Sequence, residues 1–483
     1  MKLNLIRLAL VKCIILLMCF PGNSQDRIEM PLLLPDSTFL PAEENVLLND
    51  IIISGNEKTK PAAILRELRF EPCSYYAPGV LEKRIKEASS QLMNTGLFIH
   101  AHTELQKIGD NKVNVLVDVK ERWYIFPIPF IKPVDNSFFH WATQNNKDFS
   151  RLNYGIRLTH RNLTGRNDRL HINFMNGFTR QVTLQYNGLY LDSDMKWFTN
   201  FNFQYGNNRA INYKTEHNKV VPVRTLNDDF VHNFFRSYVD VTYRKAIKTR
   251  HTFGIGYSQE KVADTVLKLN PNYANGSRQI SYTDLYYKLN YIDVDFLPYP
   301  TKGYLVEASL TKRGLGGPVN LWQLNAKTSG TWHVGRKNFF NLRLTGMLKL
   351  PFDQPYITQQ FIGHDNMFLQ GYEGYVIDGV AGGYMKASFA IPVLDKVLNM
   401  PRTKFTFLDR WSKLPFKVYA KAFINSGYVY NQHTGSNTLS NKMLYSGGFG
   451  LDIITLTDMV IKLEWSFNLL GQNGLYLHPS NSF

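Results

Sequence analysis

Cysteine is nearly absent from this chain of 483 residues: there are 3. Cys13 and Cys19 lie in a stretch that reads as a removable leader, so export leaves Cys73 alone and excludes an internal disulfide. A lone thiol of this kind is expected to be a buried small residue. Long apolar runs are missing too, apart from residues 3–20. That run follows Lys2 and precedes Gly22-Asn23-Ser24, the pattern of a secretory signal over 1–24. A membrane anchor is one alternative. A lipoprotein site at Cys19 is another, opposed by the bulk of Met18. Mean hydropathy is −0.25, which excludes a helical membrane protein.

Motifs for bond-making chemistry are likewise missing. The chain has no H-E-x-x-H, C-x-x-C, Walker-type Gly-Lys-Ser/Thr or G-x-S-x-G. Gly254-Ile255-Gly256 lacks the third glycine of a nucleotide loop, and His160 and His364 have no companions at ligand spacing. Neither an enzyme, a cofactor nor a metal is expected. Acidic residues are short: Lys and Arg number 55 against 39 Asp and Glu, a net charge of +16. Nucleic acid, lipid phosphates and polyanionic surface glycolipid are the candidate partners. Export, and the absence of a dense Lys/Arg run, exclude nucleic acid. Membrane lipid and lipopolysaccharide remain.

What is present falls into two parts. Residues 25–45 carry Pro31, Pro35 and Pro41 and read as a flexible lead-in. A small α+β domain is expected over 46–121. Its first strand is the β-branched run 46–54, closed by Gly55-Asn56, and Pro61 opens a helix at the first-turn position. A second helix from 79 to 95 repeats Leu81, Ile85, Ala88 and Leu92 at helical spacing, and Gly96 stops it. Strands 98–107 and 112–120 follow, joined by Gly109-Asp110-Asn111.

From Trp123 the pattern changes to period two. Trp197, Phe201, Phe203 and Tyr205 share one face, and Asn200, Asn202 and Gln204 take the other. Ile461, Leu463, Trp465 and Phe467 alternate in the same way with Lys462, Glu464, Ser466 and Asn468. Aromatics make up 14% of the chain and crowd the apolar face, while Asn, Gln, Thr, Lys and Tyr fill the polar one. That suits a membrane barrel with lipid outside and a wet lumen, since only a barrel satisfies every sheet group in lipid. A soluble β-sandwich array is the alternative, and turn signals do not recur at the spacing it needs. Residues 122–483 divide sensibly among about 16 strands. The first, 124–131, reads as broken by Pro127 and Pro129.

Between strands 340–350 and 383–391 lies a gap, 351–382, too long for an ordinary connection. Its centre is Gly363 to Gly379, GHDNMFLQGYEGYVIDG, rich in glycine and aromatics. Strand counting makes it the sixth loop on the side away from the small domain, folded back into the barrel. Lumen-parity charges such as Arg343, Lys386, Lys421, Glu307 and Glu464 read as a solvated interior.

Several motifs, in order, carry a resemblance. The β-α-α-β-β order, with Ser54-Gly55-Asn56 and the segment 92–98, resembles a POTRA domain. Glu121-Arg122-Trp123-Tyr124 marks the junction. Asn162-Leu163-Thr164-Gly165-Arg166 is similar to an N-L-x-G-R turn, and Pro300-Thr301-Lys302-Gly303 to a P-T-x-G strand start. Gly448-Phe449-Gly450-Leu451-Asp452 is similar to a late-strand G-x-G-x-D, and Leu369-Gln370-Gly371-Tyr372 to a V-R-G-Y/F loop tip. Over 46–483 the chain resembles the BamA/TamA superfamily of outer-membrane assembly and translocation proteins, most closely its single-POTRA members from Bacteroidetes-type bacteria.

The resemblance implies a periplasmic POTRA domain, an outer-membrane barrel and a lumen loop that includes Phe368, Tyr375 and Asp378. It implies unfolded outer-membrane or secreted polypeptides as partners, with accessory outer-membrane subunits. It implies an arginine at the loop tip paired with acidic groups on the wall. Gln370 stands there instead, and Asp452 has the parity of a wall partner. An amide forms no charge-assisted bidentate pair, so the loop is expected to be held more weakly or by packing of Phe368, Tyr372 and Tyr375. Pro127 and Pro129 mark a weak seam between first and last strands. A passive channel or lipid-handling barrel of the same fold is the second functional expectation.

Overall fold

The computed structural model describes residues 45–109, 111–133, 152–224, 229–364, 367–399, 413–454 and 460–480. The leader, nearly all of the lead-in and Asp110 lie outside the described residues. Residues from Asn45 onward form one compact unit.

The small domain is built from β1 (Val46–Ser54), α1 (Pro61–Leu65), β2 (Ser74–Tyr76), α2 (Pro78–Asn94), β3 (Phe98–Gly109) and β4 (Lys112–Glu121). Its sheet order is β2-β1-β4-β3, with β1 and β4 parallel. The apolar stripe of α2, Leu81, Ile85, Ala88 and Leu92, packs with Leu48, Phe98, Val115 and Val117 in one buried core. Each such large side chain contributes about 1.5–3 kcal/mol on burial. Gly96, at φ 71, ends α2 in the left-handed conformation glycine tolerates. The three-residue β2 is too short to show a period, and sequence reasoning missed it. Cys73, just before it, is exposed rather than buried, with φ 58, and its neighbours Ser74–Tyr76 pair with the outer edge of β1.

Sixteen strands follow in one antiparallel sheet. They are β5 (Ile125–Pro133), β6 (Leu152–Arg161), β7 (Arg169–Gly177), β8 (Thr179–Tyr190), β9 (Trp197–Asn208) and β12 (His232–Tyr243). Then come β13 (Thr249–Val262), β14 (Gln279–Val294), β15 (Gly303–Arg313), β16 (Leu321–Val334), β17 (Asn338–Leu350) and β18 (Ala381–Asn399). The series ends with β19 (Lys413–Tyr430), β20 (Met443–Ile454), β21 (Val460–Asn468) and β22 (Asn473–Ser480). A separate hairpin, β10 (Ala210–Glu216) and β11 (Lys219–Arg224), rises from the connection between β9 and β12. The period-two reading translates directly into faces. Trp197, Phe201, Phe203, Tyr205, Trp465 and Phe467 are all exposed on the outside, where water would leave a broad apolar patch uncovered. Lipid covers such a face.

β17 and β18 are the eleventh and twelfth barrel strands, so residues 351–380 form the sixth connection at one end. The small domain sits at the other end. Lys60 N donates to Gly165 O at 2.9 Å, Asn162 Nδ2 to Thr59 Oγ1 at 2.9 Å, and Asn94 Nδ2 to Val294 O at 3.2 Å. Glu67 and Arg244 form a doubly hydrogen-bonded ion pair at 2.5 and 2.8 Å, both side chains buried. Thus the motif turn after β6 is a dock: a Cβ on Gly165 would meet Lys58 O at 2.5 Å. Arg166 joins none of these contacts. Gly303, at φ 112, starts β15 where a Cβ would meet Asp293 O at 2.0 Å. The turn before it contains Pro300 and is capped by Asp295, which accepts from Thr301 N at 3.0 Å and Lys302 N at 3.1 Å.

Candidate functional site

The loop after β17 doubles back on itself inside the barrel. Ile362 and Ile377 bridge antiparallel to make a stem, and Lys349 Nζ donates to Thr358 O and Gln360 O at its root. Gly363 has φ 91 and lies so close to the returning chain that a Cβ would meet Tyr375 O at 2.4 Å. Gly379 faces the wall equally closely, with Tyr430 O at 2.4 Å from a Cβ there. Asp378 is buried. Its carboxylate binds His364 at 2.8 Å and accepts from the Thr215 hydroxyl of β10, which ties stem to hairpin. Its carbonyl accepts from Asn431 Nδ2 at 3.1 Å and Ser440 Oγ at 3.2 Å. His364 therefore does have a partner, fourteen residues along the chain, and the folded-back stem is what brings the two together.

The tip, 368–375, rests on β19 to β22. Leu369 and Tyr372 are fully enclosed beside Met347, Phe361, Val429 and Leu444. Tyr372 Oη donates to Tyr445 O at 3.1 Å, and Tyr375 Oη to Gln472 Oε1 at 3.0 Å. Phe368 stacks on His478 with centroids 4.6 Å apart, and Lys386 Nζ lies 3.8 Å from the centre of the same ring. Gly371 has φ 88, and a Cβ there would stand 2.9 Å from that of Ser446. Asn468 Nδ2 donates to Gly371 O at 2.7 Å, completing a tight seat. Phe368, Tyr372 and Tyr375 thus all make ring contacts at this seat.

Gln370 is 8% exposed, and its Nε2 donates to Glu464 Oε1 at 2.8 Å. Asp452 is not its partner. Asp452 accepts from Tyr299 Oη at 2.9 Å and pairs with Lys421 Nζ at 2.7 Å, nearer the small-domain end. The reason lies in register. Lys421, Gly450 and Glu464 face one another across three strands, and Gly450 has no side chain to separate the outer two. Lys421 therefore reaches Glu464 at 2.5 Å, and His478 Nδ1 binds the other oxygen at 2.7 Å. A continuous polar chain runs from Gln370 through Glu464, Lys421 and Asp452 to Tyr299. In the sequence Glu464 is one lumen-parity charge among several and His478 one of twelve scattered histidines. Only strand register distinguishes them.

The seam is the second element of the site. β5 and β22 end the sheet, and no ladder joins them among the described residues. Pro127 and Pro129 do not break the first strand: β5 runs through them, paired with Leu158 and Ile156 of β6. Arg161 N donates to Tyr124 O at 2.8 Å, which turns the even-numbered groups of β5 toward β6. The odd-numbered ones face the free edge, as antiparallel alternation requires. Pro127, Pro129 and Pro133 are all odd, so the free edge keeps amide donors only at Ile125 and Ile131. Proline is tolerated in β5 because it is an edge strand.

Comparison with known proteins agrees with this architecture. Residues 46–122 match the POTRA family model, described as surface antigen variable number repeat. No protein of curated function matches the chain by sequence. Among solved structures, BamA from Haemophilus ducreyi lacking POTRA domains 1–3 is similar at a TM-score of 0.52 and 15% identity, covering 90% of this chain and 83% of that chain. CdiB from Escherichia coli is similar at a TM-score of 0.53 and 9% identity, covering 91% of this chain and 75% of that chain. The likeness at these identities is one of fold: a POTRA-like domain followed by a sixteen-strand barrel.

Proposed function

We propose that the protein is an outer-membrane barrel that assists insertion or translocation of other polypeptides, with its POTRA-like domain in the periplasm. The sixteen-strand sheet, whose end strands β5 and β22 are joined by no ladder among the described residues, is the observation that carries this reading. An incoming strand finds there an edge it can pair with. The POTRA-like sheet offers a second edge at β3, twelve residues long and exposed at Ile99, Leu105 and Ile108. Unfolded outer-membrane or secreted polypeptides are the partners that extended edges suit. Membrane lipid, lipopolysaccharide and accessory outer-membrane subunits belong to the same reading, which assigns the protein no catalytic step. Depletion should lower the levels of particular outer-membrane or exported proteins, read by quantitative proteomics of the outer membrane. An unchanged proteome would count decisively against it.

Restoring donors to the seam gives a sharper test. Pro127→Val with Pro129→Val adds two N–H groups on the free edge, each hydrogen bond worth about 0.5–1.5 kcal/mol if β22 takes it up. Slower amide exchange across 125–133 is expected, together with loss of insertion activity. Faster exchange with full activity would refute a working seam.

A passive pore of the same fold is the second reading, and its prediction is opposite. The tip is seated on the wall, and the outer connections pack against the first part of the same loop at Tyr356: Tyr213, Val223, Val266 and Tyr273 share one buried cluster with it. Intact protein in a planar bilayer should therefore pass little current, and deletion of 363–379 should raise it severalfold. Large steady conductance in the intact protein would favour the pore.

A further inference from the structure

The outer wall near the seam carries a hollow that the proposed function does not use. It has a volume of about 1000 Å³ and spans β5 to β9, away from the POTRA-like end. That volume is at the upper end of the range for ligand sites. Two rows of outward side chains, set by strand register, line it. The first row is apolar: Pro129, Ile156, Phe174, Val182 and Tyr205 are cross-strand neighbours in that order. The second row lies one step closer to the loop end. Ile131, Tyr154 and Asn176 align there, and Arg180 opposes Asn207.

One cation lines the same rim. Arg180 is exposed and has no carboxylate partner among the described residues. Its guanidinium lies 5.0 Å from the centre of the Phe230 ring, and Arg209 approaches the same ring at 5.0 Å. Arg224 lies over Phe178 at 4.5 Å. Arg180 thus stands on the rim of an apolar hollow with its guanidinium held against an aromatic ring. Asn176 Nδ2 donates to Tyr154 Oη at 3.0 Å, so the polar row is already ordered.

We propose that this hollow binds a phosphorylated glycolipid of the outer leaflet, acyl chains on the Ile156–Phe174–Val182 row and phosphate on Arg180. The orientation rests on the POTRA-like domain being periplasmic. Arginine matches phosphate geometry better than any other side chain, and a row of amides suits sugar hydroxyls. The apolar row faces acyl chains in any membrane. Arg180 at the loop end is what selects a phosphorylated headgroup on that side.

Native mass spectrometry of the full chain in detergent tests this, with bis-phosphorylated lipid A as probe. Dephosphorylated lipid A, phosphatidylglycerol and inorganic phosphate are the comparators. Arg180→Ala should weaken lipid A binding by about tenfold or more, the loss of one charge-assisted hydrogen bond. Ile156→Trp, which puts a bulky ring in the acyl row, should weaken binding severalfold with Arg180 intact. Both variants should keep heat-modifiable mobility on gels, which reports a folded barrel. Native-level binding by either variant, equal binding of phosphatidylglycerol, or binding of phosphate alone would each overturn the proposal. The depletion proteome is read separately, so lost lipid binding with intact insertion sinks this site and not the proposed function.

Discussion

Lys421→Met should unseat the lumen loop, and adding Gln370→Arg should return most of what is lost. Lys421 is the cation between Asp452 and Glu464, at 2.7 and 2.5 Å, with its side chain almost wholly enclosed. Methionine keeps the bulk and deletes the charge, which leaves Asp452 and Glu464 without the cation that lies between them. Breaking a buried pair in this way costs about 3–5 kcal/mol. Amide exchange across 367–379 should speed up, and the unfolding midpoint in detergent should fall. An arginine at 370 starts from the position where the amide already touches Glu464, and it restores both charge and a bidentate geometry. In the native background the same substitution adds a second cation to a carboxylate that Lys421 and His478 already satisfy. It should then be neutral or destabilising. The cycle is therefore non-additive by design, as residues in one network are. Unchanged loop exchange in Lys421→Met, or a double variant no better than the sum of its parts, would dismiss the network as the latch.

That cycle also accounts for glutamine where the resembled family has arginine. The positive charge has not vanished from the seat; it stands on the wall, at Lys421. The sequence carried the loop, its length, its glycines and the side of the barrel it occupies, because each depends on local pattern or on counting strands. Lumen parity placed Glu464 and Lys421 inside for the same reason. Their contact was not legible, since it needs the register of β19, β20 and β21 and the gap left by Gly450. Asp452 looked the better partner because two residues along a strand return the same face, and sequence does not say which row the tip meets. The prolines of β5 misled in a different way. Read along the chain they break a strand; read across the sheet, their common parity strips donors from one edge only. The docking turns escaped notice as docks, because Asn162 and Gly165 meet Thr59 and Lys60 a hundred residues away.

The largest effect on domain arrangement is expected at the buried pair of Glu67 and Arg244. Arg244→Ala leaves a buried carboxylate without its partner, a loss of about 3–5 kcal/mol. The POTRA-like domain is held to the barrel by few other contacts of this strength. Arg66 donates to Met195 O at 3.3 Å and to the backbone carbonyl of Arg244, both of which alanine keeps, so the effect of the substitution isolates the ion pair. Spin labels on α2 and on the turn after β6 should show a broadened distance distribution in the variant. Replacing both partners by methionine should restore a narrow one, because an apolar pair of similar volume carries no desolvation penalty. Arg69→Ala, which breaks a half-exposed pair with Glu87, should change little, within about 1 kcal/mol. Acid should mimic Arg244→Ala. Burial alone pushes the Glu67 carboxyl up, but the charge and hydrogen bonds of Arg244 outweigh it and hold the group below its ordinary 4.5. A carboxylate depressed on folding contributes stability above its unfolded pKa and loses it as pH falls through the folded one. The narrow distribution should therefore persist from neutral pH down to about 5 and widen below the ordinary carboxylate range. A distribution already broad at neutral pH in the native protein, or one unmoved by Arg244→Ala, would remove the pair as the clamp.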